Sequence, residues 1–204
     1  PSKGWFHKKI HLVEVIPYYE LNGASAISVL TDEGFFGGCI EDLKIAKVMV
    51  NIPVLRKDFI VDEFQLYEAK SYGADVILLI AACLSKEKIK QLAAKAKELK
   101  LEVLLEIHTK EEIDCICDEI DIIGINNRNL ETFVTDVSTS IELIKFIPPD
   151  KPVISESGIS DIGKIFNLHN VGFKGFLIGE AFMKTQKPAI AFAEFMKQPK
   201  AKIK

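Results

Sequence analysis

Apolar residues along the chain fall in short, mostly continuous runs, separated by longer stretches where they recur every three or four positions. The runs cover residues 26–30, 53–57, 76–80, 102–107, 122–126, 152–156 and 175–178. Continuous rather than alternating apolar character suits strands covered on both faces, as in parallel sheets. The stretches between them read as helices. Over 85–100, Ile89, Leu92, Ala93, Ala96 and Leu99 share one face, with lysines and glutamates opposite. Thr109-Lys110-Glu111-Glu112 has the form of a capping box opening a further helix, one that would contain Cys115 and Cys117. Shorter helices are predicted over 13–22, 138–146 and 159–169. Gly23, Gly73 and Gly172 stand a few residues before strands, where a helix-ending residue in the left-handed conformation is needed.

Strand starts recur about every 25 residues, the repeat of a β-α unit. This predicts an α/β protein, a (β/α)8 TIM barrel forming one domain over residues 1–204. A doubly wound open sheet is the structural alternative, but its G-x-G-x-x-G loop is absent from the sequence. Seven strands are legible rather than eight, and the pattern places the missing first unit before residue 1.

Composition narrows the class. With 204 residues, 48% apolar and 27% charged, the chain can bury a sizeable core. Its net charge of -3 gives no basic excess for a nucleic-acid partner, and no apolar run has the length of a membrane span. The four cysteines are irregularly spaced, and Cys115-x-Cys117 has no second pair downstream. They read as reduced thiols of a cytoplasmic protein rather than as disulfides or a metal site.

In such barrels the chemistry sits where strands end. Period-two alternation puts Leu55 with Lys57 on one face and Leu104 with Glu106 on one face. An ionisable residue in register with core residues must be used or paired. Lys57 and Glu106 therefore read either as a barrel-mouth salt bridge or as an acid/base pair around a substrate. In the second case a lowered lysine pKa and a raised glutamate pKa are expected. Arg128 is one of only two arginines among 26 basic residues, which suggests a planar, bidentate role such as holding a carboxylate; the alternative is a loop arginine stapling a neighbouring Asp. Ser157-Gly158 and Gly179-Glu180 end the last two strands, where glycines and a short helix can cradle an anion. Phe36, Phe59 and Leu78 are candidates for an apolar wall at the mouth. His108 reads as a structural, hydrogen-bonded histidine.

Together these segments resemble indole-3-glycerol-phosphate synthase. The matching stretches are Pro1-Ser2-Lys3-Gly4, Ser28-Val29-Leu30-Thr31-Asp32-Glu33 with Phe35-Phe36-Gly37-Gly38, Arg56-Lys57-Asp58-Phe59-Ile60, Gly73-Ala74-Asp75, Gly124-Ile125-Asn126-Asn127-Arg128, Ser155-Glu156-Ser157-Gly158-Ile159 and Phe176-Leu177-Ile178-Gly179-Glu180. They run in order over nearly the whole chain. The resemblance implies a ribulose-phosphate-binding barrel and a cofactor-free reaction on a small sugar-phosphate, 1-(2-carboxyphenylamino)-1-deoxyribulose 5-phosphate. An aryl carbon attacks the C2′ carbonyl, carbon dioxide leaves, and dehydration gives the indole. By the family pattern Lys57 is the general acid, Glu106 the general base, and Asn126 orients hydroxyls. Pro1, Phe36, Phe59 and Leu78 would surround the anthranilate ring, with Arg128, Glu156, Ser157 and Leu177 among the substrate-binding residues. Gly158, Gly179 and Glu180 would bind the phosphate. The family's first strand, ending in a Glu-x-Lys motif, is expected upstream of Pro1. Asn129 stands where the family usually has Asp, and Gly34 replaces a common Lys. Two rival readings are another sugar-phosphate barrel such as phosphoribosylanthranilate isomerase, and a non-catalytic remnant. The isomerase leaves Lys57 with Glu106 unexplained.

Overall fold

The structure is a computed structural model that describes residues 11–198; Pro1 lies outside the described residues. Among the described residues seven strands form one parallel sheet in sequence order: β1 (Ile27–Leu30), β2 (Val54–Lys57), β3 (Val76–Ile80), β4 (Glu102–Ile107), β5 (Ile122–Asn126), β6 (Val153–Glu156) and β7 (Gly175–Leu177). Around it run α1 (Leu12–Leu21), α2 (Glu33–Phe36), α3 (Ile40–Met49), α4 (Glu63–Ser71), α5 (Lys86–Glu98), α6 (Ser138–Leu143), α7 (Ile162–Asn170), α8 (Glu180–Met183) and α9 (Pro188–Lys197). Every predicted strand is present to within a residue at each end. Gly23, Gly73 and Gly172 all hold positive φ at helix ends.

Alternation along the strands divides the core in two. Residues such as Ile77, Leu79, Val103, Leu105, Ile123 and Ile125 point outward and pack under the helices. Leu55, Val76, Leu78, Ile80 and Leu104 point inward as a separate cluster, with Phe59, Ile122, Ile154 and Leu177 packed against it. The sheet is thus curled, with a filled interior. The helical layer meets itself across the ends of the sheet: Tyr19 of α1 lies 4.7 Å from Phe192 of α9 between ring centroids, and Phe182 of α8 packs on both rings.

One predicted helix is corrected. The segment after Thr109 forms only a short 3-10 turn, Glu111–Cys115, and Cys117 lies beyond it. Half the capping chemistry is there, since Glu112 Oε2 accepts from Thr109 N at 3.4 Å and from His108 N at 2.6 Å. The helix stops because Cys115, Ile116 and Cys117 all pack against the core. Three consecutive helical residues, about 100° apart, cannot face one side. The predicted 159–169 helix starts late, at Ile162, where the Asp161 side chain accepts from Lys164 N. The 138–146 helix tightens into a 3-10 turn over Ile144–Phe146.

Candidate active site at the carboxyl ends of the strands

All seven strands are parallel, so their carboxyl ends lie at one end of the sheet. The inward positions change there from apolar to charged. Leu55 gives way to Lys57, Leu104 to Glu106, Ile122 and Gly124 to Asn126, and Ile154 to Glu156. Lys57 Nζ donates to Glu106 Oε2 at 2.9 Å and lies 3.6 Å from Glu156 Oε2. Asn126 Nδ2 donates to Glu106 Oε1 at 3.1 Å. His108 Nε2 stands 3.3 Å from the same oxygen, and its Nδ1 stands 3.6 Å from Glu112 Oε2. Four strands thus bring one ammonium, two carboxylates, an amide and an imidazole together on a floor of Leu55, Leu78 and Leu104.

The electrostatics differ from the sequence expectation. Burial opposes the charge on Lys57, but Glu106 and Glu156 outweigh it and raise the ammonium above its ordinary value. Burial would raise Glu106, yet Lys57 and His108 hold it well below the ordinary carboxylate range. The displaced carboxyl is Glu156, pushed up to about 8 by burial and by the neighbouring Glu106 charge, against the opposing pull of Lys57. His108 is raised to about 9: burial opposes its charge, but the neighbouring Glu106 and Glu112 carboxylates outweigh it. The physical reason is a count of charges. Besides burial, two cations, Lys57 and His108, face three carboxylates, Glu106, Glu112 and Glu156, so Glu156 keeps a proton. The lowered lysine and raised Glu106 expected from the sequence are therefore both corrected.

Gly124 belongs to this site although its own chemistry is silent. It sits opposite Glu106 in the sheet, and a Cβ there would collide with Glu156 Oε1. Its missing side chain makes the room in which the Glu156 carboxylate lies. The sequence offers one signal for it, a glycine at an inward position of an otherwise bulky strand.

The remaining predicted residues spread around this centre. Phe36 stacks on Phe59, with centroids 4.9 Å apart and planes 10° apart, and the exposed Phe35 meets Phe59 edge-on. Leu78 is fully buried at the level of Leu104, one pleat below Glu106, while Ile80 stands beside Glu106. Leu177 packs against the same inner cluster from β7. Arg128 N donates to Asn126 Oδ1, and its guanidinium lies 3.3 Å from Glu180 Oε2. A carboxylate partner was expected for Arg128; the structure supplies Glu180, the first residue of α8. Ser157 and Gly158 both hold positive φ, at 65° and 72°. Gly179 caps α8, and a Cβ there would meet nothing within 4 Å. Gly158 and Gly179 are exposed.

The family model described as indole-3-glycerol phosphate synthase matches residues 1–195. An indole-3-glycerol phosphate synthase of Bacteroides thetaiotaomicron is 54% identical over 197 residues, 97% of this chain and 76% of that one. The synthase of Aliarcobacter butzleri is 49% identical, covering 90% of this chain and 70% of its own length. Among solved structures, the orotidine 5′-phosphate decarboxylase of Pyrococcus horikoshii superposes with a TM-score of 0.70 at 12% identity, over 90% of both chains. A 3-hexulose-6-phosphate synthase superposes at 0.69 and 13% identity, over 91% of both. At such identities the superpositions speak to the barrel alone. Sequence likeness over nearly the whole length speaks to more, and the chain belongs to the indole-3-glycerol phosphate synthase family.

Proposed function

We infer that the buried Lys57–Glu106–Glu156 cluster is the reacting centre of the family's carboxy-lyase reaction, the ring closure of 1-(2-carboxyphenylamino)-1-deoxyribulose 5-phosphate to indole-3-glycerol phosphate. The observation that carries this reading is one ammonium held 2.9 Å and 3.6 Å from two carboxylates at the mouth. The ring carbon that bears the carboxylate attacks C2′, and the carbonyl oxygen becomes an alkoxide. Lys57, fully protonated, donates to it; an alkoxide is a stronger base than an amine, so the transfer is downhill. Carbon dioxide then leaves that ring carbon, and its bonding pair restores the aromatic ring. Dehydration removes the C2′ hydroxyl as water and a proton from C1′. Glu106, held as the anion, is the acceptor for that proton. Replacing a ring carboxylate by neutral carbon dioxide consumes one proton per turnover. Glu156 is a reserve for it, since its carboxyl retains a proton near neutral pH.

The other contacts follow from position. The stacked Phe36 and Phe59, with Leu177, offer an apolar wall for the anthranilate ring. Asn126 faces the hydroxyl-bearing carbons from beside Glu106. The amides of Gly158, Gly179 and Glu180 suit the phosphate. The Arg128 guanidinium holds the Glu180 carboxylate at 3.3 Å beside this pocket.

The enzyme supplied with this substrate should release carbon dioxide and the indole product in equal amounts. Glu106→Gln should slow both together while leaving substrate binding nearly unchanged. Absence of product from the wild type, or a Glu106→Gln variant with undiminished turnover, would overturn the reading.

A further inference from the structure

Asn126 and Asn127 are consecutive and serve opposite faces of the sheet. Asn126 faces the barrel interior and donates to Glu106. Asn127 lies on the outer face and is 2% exposed. A buried amide must satisfy both of its ends, and Asn127 does so across three elements. Its Nδ2 donates to Ser155 Oγ in β6 and to the Ser157 carbonyl beyond it, each at 3.0 Å. Its Oδ1 accepts from Ser140 N in α6 at 3.1 Å. The hydroxyls of Ser140 and Ser155 lie 2.7 Å apart and close the ring. The Asn127 backbone adds two more ties, donating to Glu156 O and accepting from Asp136 N, both at 2.9 Å.

The consequence lies in one peptide plane. Ser157 has φ 65° and Gly158 has φ 72°. For an L-residue such as Ser157 this conformation is strained, and it persists only where the surroundings fix it. In a trans peptide the carbonyl of Ser157 and the N–H of Gly158 point in opposite directions. A carbonyl drawn onto Asn127, on the outer face, turns the Gly158 N–H away from Asn127. Lys164 Nζ donates to the next carbonyl, that of Gly158, at 2.8 Å.

We propose that Asn127 is a positioning residue that aims the Gly158 amide at the phosphate of the substrate. The proposal rests on the reading of Gly158 as a phosphate-binding residue. Asn127 touches no reacting atom. Its loss weakens phosphate binding while the layer of Lys57 and Glu106 keeps its geometry.

The test compares wild type with Asn127→Ala on the phosphorylated substrate, on its dephosphorylated counterpart, and with inorganic phosphate as inhibitor. For the variant, KM for the phosphorylated substrate and the inhibition constant of phosphate should both rise about ten-fold or more, the loss of one hydrogen bond to a charged group. The kcat should stay within about three-fold, and kcat/KM for the dephosphorylated substrate should not change. Ser155→Ala, which spares the bond from Asn127 to the Ser157 carbonyl, should behave as wild type. If alanine does not fold, Asn127→Ser keeps a polar group too short to reach that carbonyl and should show the same selective loss. Wild type and variant discriminating equally between the two substrates would overturn the role of Asn127. So would a variant that loses both substrates alike, or a Ser155→Ala with the same loss. A wild type that neither responds to phosphate nor prefers the phosphorylated substrate would instead overturn the phosphate reading itself.

Discussion

Two lysine–carboxylate pairs stand at opposite ends of this barrel, and they are built for different work. Lys47 and Asp75 meet at 2.7 Å near the amino ends of the strands, with side chains 34% and 37% exposed. Asp75 also accepts from Val54 N, and its backbone bonds to both β2 and the start of β4. Each atom of that pair has a stabilising partner, and water reaches it. Lys57 and Glu106 meet at 2.9 Å at the other end, 15% and 4% exposed, with Glu156 only 2% exposed as an added carboxylate. The first pair balances and ties strands together. The second carries a surplus of negative charge out of water, which leaves one proton in excess near neutral pH. Geometry of the pair alone does not separate structure from chemistry; the third group does.

The largest effect that breaks the comparison is expected at Glu106. Glu106→Gln removes the anion while keeping shape, and kcat should fall about 10²-fold or more, as for the loss of a general base. Steady-state rates at saturating substrate check this. Gly124→Ala attacks the same layer without touching a charge. The new methyl occupies the place of Glu156 Oε1, so turnover should drop about ten-fold and stability by about 1–3 kcal/mol, the usual cost of overpacking. Thermal melts and kcat measured together separate the two losses.

The third expectation concerns pH. Glu156 is raised from the ordinary carboxylate range to about 8, so between those values the folded protein holds a proton that the unfolded chain releases. Stability therefore falls as pH rises through that window. His108, raised to about 9, contributes stability that is complete below its ordinary value and is lost as pH rises through 9. Glu106 is lowered, so its contribution is lost only in acid. The melting temperature should accordingly decline from about pH 5 to pH 9. Glu156→Gln should flatten that slope and melt higher than wild type at the alkaline end. An unchanged slope would contradict the surplus-charge account. The smallest effect belongs to the other end of the barrel. Asp75→Ala should cost about 1 kcal/mol, because Val54 N loses its acceptor in a half-exposed setting, and kcat should stay within about two-fold.

Much of this was legible in the chain. Continuous apolar runs marked the strands, and alternation placed Lys57 and Glu106 on the inner face. Both depend on local periodicity alone. The turn after Thr109 was not legible, because a capping box says where a helix starts and not what the core will accept three residues later. The proton affinity of Glu156 was hidden for a different reason. It is set by groups on β2 and β4, far apart in sequence, and by the space left at Gly124. The ring of Asn127, Ser140, Ser155 and Ser157 was equally silent, since each member is an ordinary polar residue until the fold closes it. The strand-end segments did carry the family resemblance, because they hold chemistry that the fold alone does not demand.

The most direct test of the central claim is a paired substitution of the two lysines. Lys57→Met and Lys47→Met each remove one ammonium from a carboxylate while keeping much of the side-chain bulk. At saturating substrate, kcat of Lys57→Met should fall by about 10²-fold or more, and that of Lys47→Met should remain within about two-fold of wild type. Equal rates in the two variants, with both proteins folded, would contradict the assignment of the chemistry to the Lys57 layer.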